Sequence, residues 1–243
     1  HAAREAMRLQ LAQRLRDTWA RVFETHQVPG AYRPDPASSG RRALANLALW
    51  MLCLDAVDRQ DPVWPGRAYD RVKHATNMTD RSGALTALVF AHAALAEPAL
   101  ARFHQMFAHD PLVIDKWFTL QASAPERGGA VFARARALLK HPDFTLKNPN
   151  RARSLIGSLC MGNPGAFHRT DAAGYLFWAD RVLELDAANP QLAARIARVM
   201  DRWGQLAEPY RSAAREAISR VAARADLSDD VREIVTRALE TRP

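Results

Sequence analysis

Apolar side chains recur every three or four residues along most of this sequence, and this helical period is what most constrains the fold. Near the N-terminus one stripe collects Met7, Leu11, Leu15, Val22 and Phe23. No stretch shows the alternation of apolar and polar residues that marks a half-buried strand. The chain is therefore predicted to fold from α-helices alone.

Proline and glycine divide the helical pattern into pieces of about 10–17 residues. Segment 30–40 (GAYRPDPASSG) is predicted as a loop, and a helix is predicted over 41–56. The core candidates on that helix are Leu44, Leu47, Met51 and Leu52. Short helices with brief turns stack as antiparallel hairpins. Because no strict repeat of 30–45 residues is visible, we predict an all-α fold whose stacked hairpins form an irregular curved superhelix of ARM or HEAT type.

Three Asn-Pro pairs punctuate the second half of the chain, at 148–149, 163–164 and 189–190. Asparagine can cap a helix N-terminus, and proline fits the first helical position. At the first pair we predict Asn150 as the cap, because Pro149 moves Asn148 out of the helical region. Thr79 is predicted as the cap of the helix that begins near residue 77.

The formal net charge is +8, from 34 Lys and Arg residues against 26 Asp and Glu residues. The cations are mostly arginines, scattered along the chain and usually placed a helical turn from an acid. Such pairing is typical of solvated helix faces, whereas nucleic-acid-binding proteins concentrate cations on one patch. We therefore expect no nucleic-acid partner.

Motifs that mark catalytic sites are missing from the sequence. There is no HExxH, which places two zinc-binding histidines on one helix face, and no GxGxxG, GxxxxGK[ST] or GxSxG. Cys53 and Cys160 are too few for a four-thiolate zinc site. We expect no catalytic residue and no metal site in this chain. The sequence also shows no signal-peptide pattern and no apolar run of about 18 residues, so no membrane partner is expected.

Four stretches carry uncommon strings in a fixed order. They are ATNMTDRSGALTAL (75–88), PLVIDKWFTLQA (111–122), KNPNRARSLIG (147–157) and NPGAFHRTDAAGYLFWADRVLELDAANPQLAAR (163–195). Together they resemble the C-terminal region of bacterial aminopeptidase N, in the Escherichia-type branch of the M1 family of zinc aminopeptidases. The resemblance covers essentially the whole chain.

The resemblance implies that these residues form one part of a larger enzyme that removes N-terminal residues from peptides. In that family the HExxH zinc ligands and the GAMEN motif lie in a separate catalytic domain. This chain has neither motif and is expected to be inactive alone, with the zinc held by the catalytic domain of the same polypeptide. Residues 1–243 are expected to form a single all-α C-terminal domain, and a subdivision into 1–145 and 146–243 is left open.

In the family the helical domain closes over the catalytic domain and encloses a chamber that admits peptides. The resemblance implies chamber contacts for the NPNRAR motif, at Asn148, Asn150, Arg151 and Arg153. An arginine fork can hold the carboxylate at the distal end of a peptide. The two arginines are about 200° apart around a helix, so one at most faces the chamber. Which one is left open, as is a purely structural role for the motif.

The expected partners are the catalytic domain of the same polypeptide and peptide substrates. A cytoplasmic location and a monomeric state also follow from the resemblance. The alternative function is a free-standing helical module that binds a protein or peptide partner without catalysis.

Overall fold

The computed structural model describes residues 1–240, and the regular elements in that range are all helical, which confirms the all-α prediction. The α-helices are α1 Ala2–Arg14, α2 Arg16–Thr25, α3 Pro36–Asp58, α4 Val63–His74, α5 Met78–Ala91, α6 Ala96–Phe107, α7 Pro111–Ser123, α8 Ala130–Leu138, α9 Pro149–Ala152, α10 Ser158–Gly162, α11 Pro164–Phe167, α12 Ala173–Ala188, α13 Pro190–Ala197, α14 Tyr210–Ala222 and α15 Asp229–Glu240. A π-helical segment, Arg153–Gly157, joins α9 to α10, and 3₁₀ turns follow α13 at Arg198–Met200 and Trp203–Gln205.

The helices form two compact units, His1–Leu120 and the residues from Gln121 onward. This boundary does not coincide with the subdivision near residue 145 that the sequence left open. The assignment of the whole chain to one domain stays a prediction.

Helix α3 is the centre of the first unit and packs against α1, α2, α4 and α5. Leu49 and Leu52 of α3, with Leu88 of α5, are fully buried. Burial of such side chains is the main source of stability in a helical unit. The helix begins at Pro36, inside the predicted loop, because the Asp35 carboxylate accepts a hydrogen bond from the Ser38 amide and caps it.

The apolar stripe near the N-terminus is only partly buried. Phe23 is buried, whereas Met7, Leu11 and Leu15 are 40–57% exposed, and the residue that α1 buries is Ala12. Leu44 and Leu47 of α3 are also exposed, whereas Met51 and Leu52 are buried as predicted. The helical period identified the helices, but the face turned inward is set by their neighbours. The cap of α5 is Asn77, which accepts a hydrogen bond from the Asp80 amide, and not Thr79.

Helix α12 is the centre of the second unit and packs against α13 and α14, and α15 packs against both of these. Tyr175 and Trp178 of α12 are fully buried. The Trp178 indole N–H donates to the Ile196 carbonyl of α13 at 2.9 Å, so this large ring is buried with its polar group satisfied. The Asn189-Pro190 pair opens α13 as predicted, with the Asn189 side chain accepting from the Leu192 amide.

Candidate functional site

The NPNRAR motif begins with a capped helix turn. Asn148 has extended backbone angles (φ −96°, ψ 109°), and its side-chain oxygen accepts from the amides of Asn150 at 3.0 Å and Arg151 at 3.3 Å. Pro149 occupies the first helical position. The prediction that Asn150 is the cap is therefore wrong. An N-cap residue is itself extended, so the restriction that proline places on its predecessor favours Asn148 as the cap.

Arg151 is directed into the second unit. Its side chain is buried, and one guanidinium nitrogen donates to the Asp143 carbonyl. This bond connects the start of α9 to the segment that precedes it. Arg151 is therefore placed to stabilise the local fold.

Asn150 and Arg153 lie on the surface of the same turn. The Arg153 guanidinium donates to the Asn150 side-chain oxygen at 2.6 Å, and both residues are exposed. No carboxylate pairs with Arg153 among residues 1–240. The two arginines of the motif thus point to different environments, as their angular separation requires. Arg153 is the exposed one of the two.

The π-helical segment Arg153–Gly157 shapes this surface. A π-turn adds a residue to a helix, and such turns are frequent at functional sites. At Gly157 a Cβ atom would lie 3.2 Å from Cγ of Arg153, so the glycine leaves room for the arginine stem. The Ser154 hydroxyl donates to the Asn150 carbonyl at 2.7 Å and ties the segment to the preceding turn. The backbone that carries Asn150 and Arg153 is therefore held by hydrogen bonds within the turn.

Clefts lie elsewhere in both units. One cleft of the first unit has a volume of about 670 Å³ and lies beside Phe23. Its arginines are already engaged, because Arg67 pairs with Glu24 at 2.6 Å and Arg71 pairs with Asp80 at 3.0 Å. Both arginines are therefore neutralised by acids of the same unit.

One cleft of the second unit, called here the α8–α12 cleft, has a volume of about 520 Å³ and is lined by Phe132, Arg136, Leu139, Lys140, Ala173, Leu176, Phe177, Asp180 and Arg181. Sequence reasoning missed it. The available signal was the spacing of Arg136 and Lys140, four residues apart in RALLK. Their approach to Phe177, about forty residues away along the chain, has no signature in one sequence.

The thiols of this chain do not fit a zinc site. Cys53 and Cys160 are buried, and burial raises the pKa of Cys53 to about 12 and that of Cys160 further. Zinc binds the thiolate, which a raised pKa disfavours. With no HExxH in the sequence either, we derive no catalytic step through a zinc ion held by this chain.

A family described as a domain of unknown function with ARM repeats (DUF3458_C) matches residues 1–240. The chain belongs to this family. ARM repeats are stacked helices, in agreement with the predicted fold class. The DUF3458_C match therefore accounts for the whole described chain.

Curated relatives of this DUF3458_C chain include aminopeptidase N of Caulobacter vibrioides, 36% identical over 98% of the chain, and that of Haemophilus influenzae, 34% identical over 98%. Aminopeptidase N of Escherichia coli is 33% identical over 97% of the chain. The matched part is their C-terminal region, which confirms the resemblance. The chain spans about a quarter of each relative's length, 26–27%.

A solved structure extends the likeness to three dimensions. The crystal structure of Legionella pneumophila aminopeptidase A in complex with aspartic acid matches with a TM-score of 0.84 and 26% identity. The match covers 97% of this chain and 28% of that one. Among residues 1–240 no helix combines the length and apolar character needed to cross a membrane.

Proposed function

We propose that this chain is the C-terminal helical domain of a zinc-dependent aminopeptidase of the M1 family. The support is the identity to three aminopeptidases N along nearly the whole chain, which occupies about a quarter of their length. In this proposal the zinc and the catalytic groups belong to a catalytic domain of the same polypeptide. A cytoplasmic location and a monomeric state are part of the proposal.

The role proposed for the chain itself is to wall the catalytic chamber, limit access to peptides and contact the distal end of the substrate. The observation that carries the contact is the exposed Arg153, whose guanidinium is oriented by Asn150 and lacks a carboxylate partner among the described residues. A guanidinium binds a carboxylate through two parallel N–H donors. Arg153 would hold the C-terminal carboxylate of a peptide, while Asn148 and Arg151 keep the turn in place.

The test compares Arg153→Gln with the unmodified full-length gene product on three substrates. These are an alanyl p-nitroanilide, a tripeptide with a free carboxylate, and the same tripeptide as its C-terminal amide. Hydrogen bonds to charged groups contribute about 1.5–3 kcal/mol. We expect kcat/KM for the free tripeptide to fall about tenfold or more, and kcat/KM for the other two to change less than about twofold.

Arg215→Gln is the matched control, because Arg215 is an exposed arginine on α14. It is expected to leave all three substrates unchanged. Equal losses on the anilide and both tripeptides would show that Arg153 is structural, and no loss on any of them would remove it from the substrate site.

A further inference from the structure

The α8–α12 cleft has an apolar floor. Phe132 of α8 and Phe177 of α12 meet edge to face with their ring centroids 5.9 Å apart, and both are more than nine-tenths buried. Leu176 stands at the rim with 46% of its surface exposed. The volume of about 520 Å³ lies in the range of small-ligand sites, about 300–1,000 Å³. The floor can therefore receive an apolar side chain.

The wall of the cleft carries uncompensated positive charge. Arg136 and Lys140 are both exposed, and neither pairs with a carboxylate within the part of the chain that the structure describes. Asp180 also lines the cleft, but it accepts a hydrogen bond from Arg220 at 2.7 Å. Two unpaired cations four residues apart repel each other. An anion placed between them would relieve that repulsion.

Arg181 adds a third cation at the floor. Its guanidinium lies over the Phe177 ring, 5.6 Å from the centroid, and pairs with Glu184. The Nε–H group of Arg181 is buried and donates to no acceptor. A buried donor without an acceptor is unfavourable, and the carboxylate of Glu184 offsets part of this cost at the guanidinium.

We propose that the α8–α12 cleft binds an acidic peptide segment in which a carboxylate adjoins an apolar side chain. The carboxylate contacts Arg136 and Lys140, and the apolar side chain packs against Leu176 and the parts of Phe132 and Phe177 that line the cleft. A nucleic-acid strand fits less well, because the two rings meet edge to face and are nearly buried, so neither presents an open face for base stacking. The cleft shares no residue with the NPNRAR motif, and the inference does not depend on the proposed function.

The test uses the full-length gene product and a fluorescein-labelled hexapeptide of alternating Glu and Phe, with binding read by fluorescence anisotropy at about 0.1 M salt. A Gln–Phe hexapeptide removes the charge, and hexaglutamate removes the apolar side chains. We expect the Glu–Phe peptide to bind about tenfold or more tightly than either. The double variant Arg136→Gln, Lys140→Gln should raise its Kd about tenfold or more.

Two further variants separate the contributions. Leu176→Ser is expected to weaken the Glu–Phe peptide and leave hexaglutamate unchanged. The control double variant Arg14→Gln, Arg215→Gln removes the same charge from exposed positions outside the cleft. Its Kd for the Glu–Phe peptide should stay within about twofold of the unmodified value. The proposal is overturned if the cleft double variant matches this control. It is also overturned if hexaglutamate or a single-stranded oligonucleotide binds as tightly as the Glu–Phe peptide.

Discussion

Asp55 is a charged side chain placed at the centre of the first unit. It is fully buried on α3, where its two oxygens accept from Arg16 at 2.7 and 2.9 Å and from Arg59 at 3.1 Å. Burial alone would raise the pKa of Asp55, but the hydrogen bonds and positive charges of the two arginines outweigh it, so the pKa is lowered. The carboxylate thus connects α2, through Arg16, to the end of α3.

Replacing Asp55 by Asn should lower the free energy of unfolding by about 1.5–3 kcal/mol at pH 7, because charge-assisted hydrogen bonds are lost. The pKa in the folded state lies below the unfolded value of about 3.9, so this stabilisation is complete above that pH. It is lost as the pH falls through the folded-state pKa. Urea unfolding at pH 7 and below pH 4 measures the difference.

Asp70→Asn is the control for this prediction, because Asp70 is largely exposed on α4. This substitution should change the free energy of unfolding by less than about 0.5 kcal/mol. A difference between wild type and Asp55→Asn that stays constant as the pH is lowered would contradict the assigned charge state.

Local chemistry at single residues was only partly predictable. The Asn-Pro pairs identified helix starts, because both residues act within one turn. The prediction of Asn150 rather than Asn148 as the cap was wrong. Proline keeps the preceding residue extended, and an N-cap residue is itself extended, so this restriction favours Asn148. Arg151 points inward and donates to the Asp143 carbonyl. The helical period does not predict where that carbonyl lies, so the direction of Arg151 could not be predicted from the sequence.

At the scale of elements, one contact fixes how α12 begins. A Cβ atom at Gly174 would lie 1.9 Å from the carbonyl oxygen of Phe167, so glycine is required by close approach of the backbone at the end of α11. Phe167 and Tyr175 also meet edge to face, with centroids 5.4 Å apart. The first turn of α12 and the end of α11 therefore form one tightly packed corner of the second unit.

Gly174→Ala should lower the free energy of unfolding by about 1–3 kcal/mol or more, because the added methyl group displaces a backbone carbonyl. The matched control is Gly40→Ala on α3, where the new Cβ meets no atom within 4 Å. That change should raise the free energy of unfolding by about 0.5–1 kcal/mol, since alanine favours helix. Thermal and urea unfolding measure both, and an unchanged Gly174→Ala protein would show that the corner yields easily.

Element existence was predictable and element orientation was not. The period of three to four residues is a local property, so it predicted helices that the structure contains, including the one over 41–56 that lies within α3. Which side of α1 or α3 is buried depends on the neighbours of each helix. Leu44 and Leu47 of α3 are exposed, although α3 packs against α1, α2, α4 and α5.

For the whole molecule, part of the basic charge is paired with carboxylates inside each unit. Asp55 engages Arg16 and Arg59 in the first unit, and Arg220 pairs with Asp180 in the second. Arg59 and Asp55 lie a helical turn apart, as the sequence predicts, whereas Arg16–Asp55 and Arg220–Asp180 join different helices. Other exposed arginines, among them Arg14 and Arg215, also lack an ion pair within residues 1–240. What distinguishes the cations proposed to bind ligands is therefore their surroundings, the NPNRAR turn for Arg153 and the α8–α12 cleft for Arg136 and Lys140.

The central proposal is that this chain is the helical domain of an aminopeptidase and that the catalytic groups lie in another domain of the same polypeptide. The most direct measurement compares the full-length gene product with the isolated 243-residue chain for hydrolysis of alanyl p-nitroanilide and for bound zinc. We predict that the full-length product hydrolyses the anilide and holds about one zinc per molecule, and that the isolated chain does neither. Hydrolysis with stoichiometric zinc in the isolated chain, or an inactive full-length product, would contradict the account.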